Sequence, residues 1–538
     1  MTNEHLQTFP LLTDIPAQFQ IEPLHQRHYL IDGQMREWKG ETHDVLSPII
    51  DRSGDVPQRK VIGSYPIATE TEALEALASA EAAYANGRGE WPNMSVTARI
   101  ACVENFVGKM LEQKTLIVKL LMWEIGKSFG DSTKEFDRTV EYIYDTIDAL
   151  KNIDRTSSRF TIEGGVIGQI RRSPLGIVLC MGPFNYPLNE TYTTLIPALL
   201  MGNVILFKPP KFGTLLHYPM LEAFGSCFPK GVVNTIYGRG AAVVPALMTS
   251  GKIDSLTLIG SSKVADQLKK LHPKSNRLRA VLGLDAKNAG IVLKSADLDL
   301  AIKECLLGSL SFNGQRCTAL KILFVHRSLA QTFITKFSEE VDKLVVGMPW
   351  DKGVQITPIP EPNKPAYFAD IIEDAKKYGA KVVNQKGGQA CESLVMPTVL
   401  FPVNSQMRIY RDEQFGPVVP IVPFDDPEEV IDYVIESDHG QQVSIFGEDS
   451  NQVANLLDVM VNQVSRVNLN SQCQRGPDSF PFTGRKDSAE GVLSVTNALH
   501  SFSIRTVVAT KDNAANKALI NDIITEHKSH FLSTKYVF

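Results

Sequence analysis

Between Gly176 and Leu284 five short apolar runs alternate with longer helical segments: GIVLC (176–180), NVILF (203–207), VVNTIY (232–237), SLTLI (255–259) and RAVLGL (279–284). Nothing else in the chain constrains its fold as strongly. The alternation predicts a parallel, doubly wound sheet, because crossover helices cover both faces of such a sheet and leave its strands almost wholly apolar. Ligands, dinucleotides among them, bind outside the carboxyl ends of these strands. The residues that follow each run are therefore the first to read for function.

At 538 residues the chain exceeds what one hydrophobic core organises, so two or three units are expected. EALEALASAEAAY (72–84) and the stretch from Val96 to Gln113 have helical composition and spacing. A second α/β region starts after Asp285, with a helix predicted over Leu298–Leu310 and a strand over Ile322–Val325. The alternating segments 159–174 and 501–511 lie outside both regions and read as strands in need of a partner sheet, commonly one shared between subunits. The expected division is a cofactor-binding domain from 20–158 and 177–283, a catalytic domain from 284–490, and a small β oligomerisation arm from 159–176 and 491–538. A homodimer or homotetramer follows.

With 55 basic and 60 acidic residues the net charge is −5, which provides no general attraction to nucleic acid or anionic lipid. No apolar run approaches the ~18 residues of a membrane-spanning helix. Seven cysteines without CxxC spacing point to neither a disulfide framework nor a metal site, and so to a reducing compartment. The N-terminal MTNEHLQTFPLLTDIP has the profile of neither a signal nor a transit peptide, which makes the cytoplasm the expected location. A small molecule is the expected partner.

Four segments carry chemistry. In FNGQRCTAL (312–320), Cys317 follows an arginine in a Gly-containing loop, and a cationic neighbour favours the nucleophilic thiolate. Taken alone, a cysteine is more often a small buried apolar residue. In MGPFNYP (181–187), Asn185 follows a strand end, where its amide suits a developing oxyanion, although an Asn between aromatics also reads as a turn residue. Lys208 and Lys211 end the strand in GNVILFKPPK (202–211) and suit phosphate, or equally a solvated turn. Gly260, Ser261 and Ser262 stand at a strand-to-helix junction, where free backbone N–H groups can hold a pyrophosphate, but GxGxxG is absent.

Together with MWEIGKS (122–128), PFNYP (183–187), FKPP (207–210), GSS (260–262), FNGQRCTA (312–319) and DEQFGPVVP (412–420), in this order, the chain resembles the aldehyde dehydrogenase superfamily from about Tyr29 to Lys511. Through GQRCTALK (314–321) and QRGPDSFPFTG (474–484) it is most similar to the non-phosphorylating, NADP-dependent branch that oxidises glyceraldehyde 3-phosphate. The resemblance implies that Cys317 attacks the aldehyde while Asn185 and the Cys317 N–H hold the oxyanion. Glu413 and Phe415 would position the nicotinamide half of NADP, with NAD possible. Lys208, Gly240, Gly260 and Ser261 would lie along its adenosine and pyrophosphate. Family members restricted to NAD commonly carry a glutamate at the position of Lys211, which here would favour a 2′-phosphate. Arg138, Tyr186, Arg316 and Arg475 match the residues that grip a substrate phosphate.

One position departs from the pattern. The family's ELGGK strand reads GLDAK here, which puts Gly283 where the deacylating glutamate belongs and leaves Asp285 two residues on. If the strand persists, both positions share a face, with Asp285 displaced by ~7 Å of strand rise. Asp285 then reads either as a substitute base or as a structural hydrogen-bonding residue. The implied reaction is oxidation of an aldehyde, with glyceraldehyde 3-phosphate to 3-phosphoglycerate foremost. A CoA-acylating dehydrogenase needs no base-activated water, and a catalytically weak cofactor-binding paralogue is the third reading.

Overall fold

The computed structural model describes residues 6–537. Its first sheet contains β1 (His28–Ile31), β2 (Gln34–Glu37), β3 (Ile177–Met181), β4 (Val204–Lys208), β5 (Val233–Thr235), β6 (Ser255–Ile259) and β7 (Arg279–Gly283). In space the order is Ala489–Glu490, β7, β6, β3, β4, β5, β1, β2. The five runs that dominate the sequence form the parallel centre, and the antiparallel strands sit at the two edges. From β3 the chain builds outward through β4 and β5, then returns to lay β6 and β7 on the other side. This reversal opens a crevice at the carboxyl ends.

A second sheet contains β8 (Ala289–Val292), β9 (Ile322–His326), β10 (Thr398–Phe401), β11 (Val418–Phe424), β12 (Gln442–Phe446) and β13 (Arg466–Leu469). Its order is Lys381–Val382, β10, β11, β9, β8, β12, β13, parallel except at the first pair. Alternate residues of β9 enter different cores: Ile322 and Phe324 pack on one face, Leu323 and Val325 on the other. The helix predicted at Leu298–Leu310 has those bounds. It delivers the chain into the loop that bears Cys317.

Segments 159–174 and 501–511 do meet, within the chain: Phe160–Glu163, Val166–Pro174 and Ser503–Lys511 form a three-stranded antiparallel sheet. Ile170 and Val507 face each other across it and are 39% and 58% exposed, so this arm presents apolar side chains to its outside. No helix among the described residues is long and apolar enough to cross a membrane.

Candidate active site

The loops after β3, β4, β6 and β7 converge with the Cys317 loop and the 411–415 and 438–439 segments on one cavity of about 900 Å3. Asn185, Lys208, Lys211, Gly240, Gly260, Ser261, Cys317, Glu413 and Phe415 all line it. Nine residues spread over 231 positions of sequence thus share one space.

The Cys317 loop is built by unusual backbone. Phe312, Asn313 and Gly314 have φ of 50°, 55° and 68°, and a Cβ at Gly314 would lie 2.7 Å from the carbonyl oxygens of both Ser309 and Gly416. Glycine is therefore required at that step. Asn313 locks the turn by accepting from Thr357 N–H at 2.9 Å. The Cys317 carbonyl accepts from Lys321 Nζ at 2.9 Å and Asn288 Nδ2 at 2.8 Å. Burial pushes the Cys317 thiol above its ordinary range, with Lys321 and then Arg316 opposing. Arg316 acts in the expected direction, toward the thiolate, but burial and Glu413 act against it. Desolvation outweighs both cations, and the guanidinium of Arg316 is turned to the helix-end carbonyls of Leu307 and Gly308, at 3.1 and 2.8 Å.

Asn185 is buried and donates through Nδ2 to the Gln315 carbonyl at 2.8 Å, which ties it to the Cys317 loop. Its own carbonyl accepts from Lys127 Nζ at 2.7 Å. Lys127 is fully buried and ion-paired with Glu135, whose other oxygen accepts from the N–H groups of Leu188 and Asn189, each at 3.1 Å. The Lys127 ammonium also lies 3.7 Å from the Tyr186 ring and 4.4 Å from that of Phe312. Lys127 and Glu135 hold the whole 185–189 segment, yet sequence reasoning assigned neither. Lys127 stood inside the quoted MWEIGKS motif, whereas Glu135 became recognisable only through its partner.

Glu413 pairs with Lys321 at 2.7 Å, and Phe415, itself at φ 47°, packs edge-on against Phe184 at 5.8 Å between centroids. At the other end Lys208 donates to the Pro209 carbonyl at 2.8 Å, and burial pushes its ammonium down to about 8. A Cβ added at Gly240 would meet nothing nearer than Lys208 Cε at 3.8 Å, so the wall is open there. Ser261 caps the Ser262–Leu271 helix. Two lysines at an open end are donors for a dinucleotide phosphate, and a carboxylate with an aromatic ring stands at the Cys317 end; the first N–H of the Ser262–Leu271 helix, expected to be free for a pyrophosphate, is instead taken by Asp285. The volume is near the top of the ~300–1,000 Å3 range of small-molecule sites. The cavity fits NADP.

The proposed phosphate-binding set is arranged differently. Arg138, Tyr186, Arg316 and Arg475 do not line the cavity. Arg138 grips Asp478 through two hydrogen bonds of 3.0 and 2.8 Å. Arg475 is ion-paired with both Glu190 and Asp478 and donates to the Leu493 carbonyl at 2.9 Å. Glu190 itself lines the cavity, so the arginine reaches it only through a carboxylate. Sequence reading missed Glu190, which has no motif signal of its own.

Gly283 ends β7, so the strand does not continue to Asp285 and the shared-face condition fails. The Asp285 carboxylate turns to Ser262, accepting from its N–H at 2.8 Å and its hydroxyl at 2.7 Å. At Gly283 a Cβ would meet Leu493 Cδ1 at 3.4 Å and Ile259 at 3.5 Å, ordinary contacts, so a side chain there is sterically tolerable.

Comparison with known proteins agrees with this geometry. The NADP-dependent glyceraldehyde-3-phosphate dehydrogenase of Streptococcus equinus is 32% identical over 451 residues, 82% of this chain and 91% of that one. The pea (Pisum sativum) enzyme of the same name is 30% identical over 490 residues, 89% of this chain and 94% of its own. The crystal structure of NADP-dependent glyceraldehyde-3-phosphate dehydrogenase from Bacillus halodurans C-125, complexed with NADP, superposes with a TM-score of 0.82 at 30% identity, covering 91% of this chain and all of that one. Residues 49–508 match the sequence model of the aldehyde dehydrogenase family, and the chain belongs to that family.

Proposed function

We propose that this protein oxidises an aldehyde with NADP, and that the aldehyde is glyceraldehyde 3-phosphate, giving 3-phosphoglycerate. The observation that carries the reading is the single cavity shared by Cys317, Asn185 and the dinucleotide-binding residues. The names of its relatives support both the cofactor and the substrate. In this reading Cys317 adds to the aldehyde carbon, and Asn185 with the Cys317 N–H stabilises the thiohemiacetal oxyanion. Bound NADP supplies the hydride acceptor. Lys127 and Glu135 keep Asn185 in register through the oxidation, and Glu413 with Phe415 fix the nicotinamide half. Water then resolves the Cys317 thioester.

The substrate phosphate is taken by Arg138, Tyr186, Arg316 and Arg475, in exchange for the carboxylates that now engage two of the arginines. Residues 20–158 and 177–283 hold the cofactor and 284–490 carry the nucleophile. Copies associate as a dimer or tetramer through 159–176 and 491–538, where Ile170 and Val507 face outward. A CoA-acylating reaction is the second reading, favoured by the absence of a carboxylate at Gly283.

The test is a purified-enzyme assay with glyceraldehyde 3-phosphate and NADP, with and without CoA. NADPH and 3-phosphoglycerate in equal amounts, both lost in Cys317→Ala, support the reading. An acyl-CoA product, or no NADPH from wild type, overturns it.

A further inference from the structure

Hydrolysis of a thioester needs a group that takes a proton from the attacking water. The acids beside the nucleophile are committed elsewhere: Glu190 to Arg475, Asp285 to Ser262 and Glu413 to Lys321. Glu361 also lines the cavity, but the charges acting on it are Lys364 and Lys211, which places it toward the cation end. Asp412 and Asp438 are exposed.

Like Oε2 of Glu361, Nδ1 of His439 is buried without a hydrogen-bond partner among the described residues, but the His439 segment is the one tied to the turn after Gly283. His439 is half-buried and lines the same cavity as Cys317 and Gly283. A buried polar atom left unpaired is costly. Two sets of hydrogen bonds fix the backbone that carries it. On one side Gly440 N–H donates to Ser488 Oγ at 3.0 Å, and that hydroxyl donates to the Asp285 carbonyl at 2.8 Å. Leu284 N–H in turn donates to the Ser488 carbonyl at 2.9 Å, which ties His439 to the turn that follows Gly283. On the other side Asn288 accepts from Gln442 N–H at 3.0 Å and donates to the Cys317 carbonyl at 2.8 Å. The backbone that carries His439 is therefore tied both to the turn after Gly283 and to the loop of Cys317, and all three residues line one cavity.

We propose that His439 accepts the proton of the water that resolves the Cys317 thioester. This rests on the oxidation through Cys317 proposed above. The water oxygen bonds to the acyl carbon as its proton passes to a His439 ring nitrogen. The carbon–sulfur bond breaks, its electron pair leaves on the Cys317 sulfur, and the product departs as the carboxylic acid, which ionises to solvent. The imidazolium returns its proton to the thiolate or to water. Imidazole is the side chain most often found in this role.

Rapid-mixing kinetics of full-length His439→Gln and His439→Ala, with NADP and glyceraldehyde 3-phosphate, test the proposal. Both variants are expected to keep a first-turnover release of NADPH near one equivalent per Cys317. Steady turnover is expected to fall ~10²-fold, with acyl-Cys317 accumulating in intact-protein mass spectra. Added imidazole should restore part of the turnover in His439→Ala but not in His439→Gln. Steady turnover within about threefold of wild type, or loss of the first turnover with NADP binding intact, overturns the proposal. Should neither variant fold, ethoxyformylation of wild-type His439, followed by peptide mass spectrometry, has to abolish turnover and spare the first release; labelled enzyme with full turnover overturns it. Wild type that makes no NADPH at all refutes the underlying oxidation instead.

Discussion

The Asp285 carboxylate accepts both the N–H and the hydroxyl of Ser262, at 2.8 and 2.7 Å, and so holds the first residue of the Ser262–Leu271 helix, next to its N-cap Ser261. A carboxylate held this way satisfies an N–H that the helix start leaves unpaired, and its charge complements the helix dipole. Asp285→Asn is expected to leave steady turnover within about twofold of wild type. It should raise amide exchange across Ser262–Leu271 by an amount equivalent to ~1 kcal/mol of lost stabilisation at the helix start. A large fall in turnover with unchanged exchange would restore Asp285 as a base.

Lys211 is exposed at the cavity mouth, its ammonium 5.2 Å from the Phe212 ring. Lys211→Glu is expected to weaken NADP about tenfold, ~1.4 kcal/mol, and NAD hardly at all, because only the former carries a 2′-phosphate to repel. Calorimetric titration with each cofactor checks this, and equal weakening of the two would reduce Lys211 to surface charge.

Burial holds the Lys208 ammonium down at about 8, so in the free protein it is charged below that pH and neutral above it. NADP favours the charged form and takes up a proton where Lys208 is neutral. Affinity should therefore be constant from pH 7 toward 8 and decline as pH rises beyond it. In Lys208→Met the affinity should be lower and independent of pH. A wild-type affinity that stays flat to pH 9.5 would show that Lys208 does not meet the cofactor's charge.

Glu190 and Asp478 together offset Arg475 and Arg138. Glu190→Gln removes one negative charge while keeping a hydrogen-bonding side chain of the same size. If these arginines take the substrate phosphate, the variant should show a KM for glyceraldehyde 3-phosphate several-fold lower than wild type, with the KM for an unphosphorylated aldehyde unchanged. Parallel changes for both aldehydes would remove the phosphate from this cluster.

The sequence by itself determined the parallel sheet, because strands buried on both faces are written as largely apolar runs, and the five runs that become β3 through β7 alternate with helical segments. It also singled out Cys317, Asn185 and the dinucleotide-side residues, which follow strand ends or stand in short ordered motifs, and which the fold brings to one cavity. Tertiary structure alone decided what opposes what. Glu190 and Arg475 are 285 positions apart and Lys127 reaches Asn185 across 58, so no spacing rule brings either pair together. The Cys317 thiol shows the same limit: the arginine beside it in sequence turns away, and burial, which depends on the assembled fold, outweighs it. His439 had no motif to mark it, because what marks it is an unpaired buried nitrogen on a segment tied to the turn after Gly283, and such pairing exists only once the chain is folded.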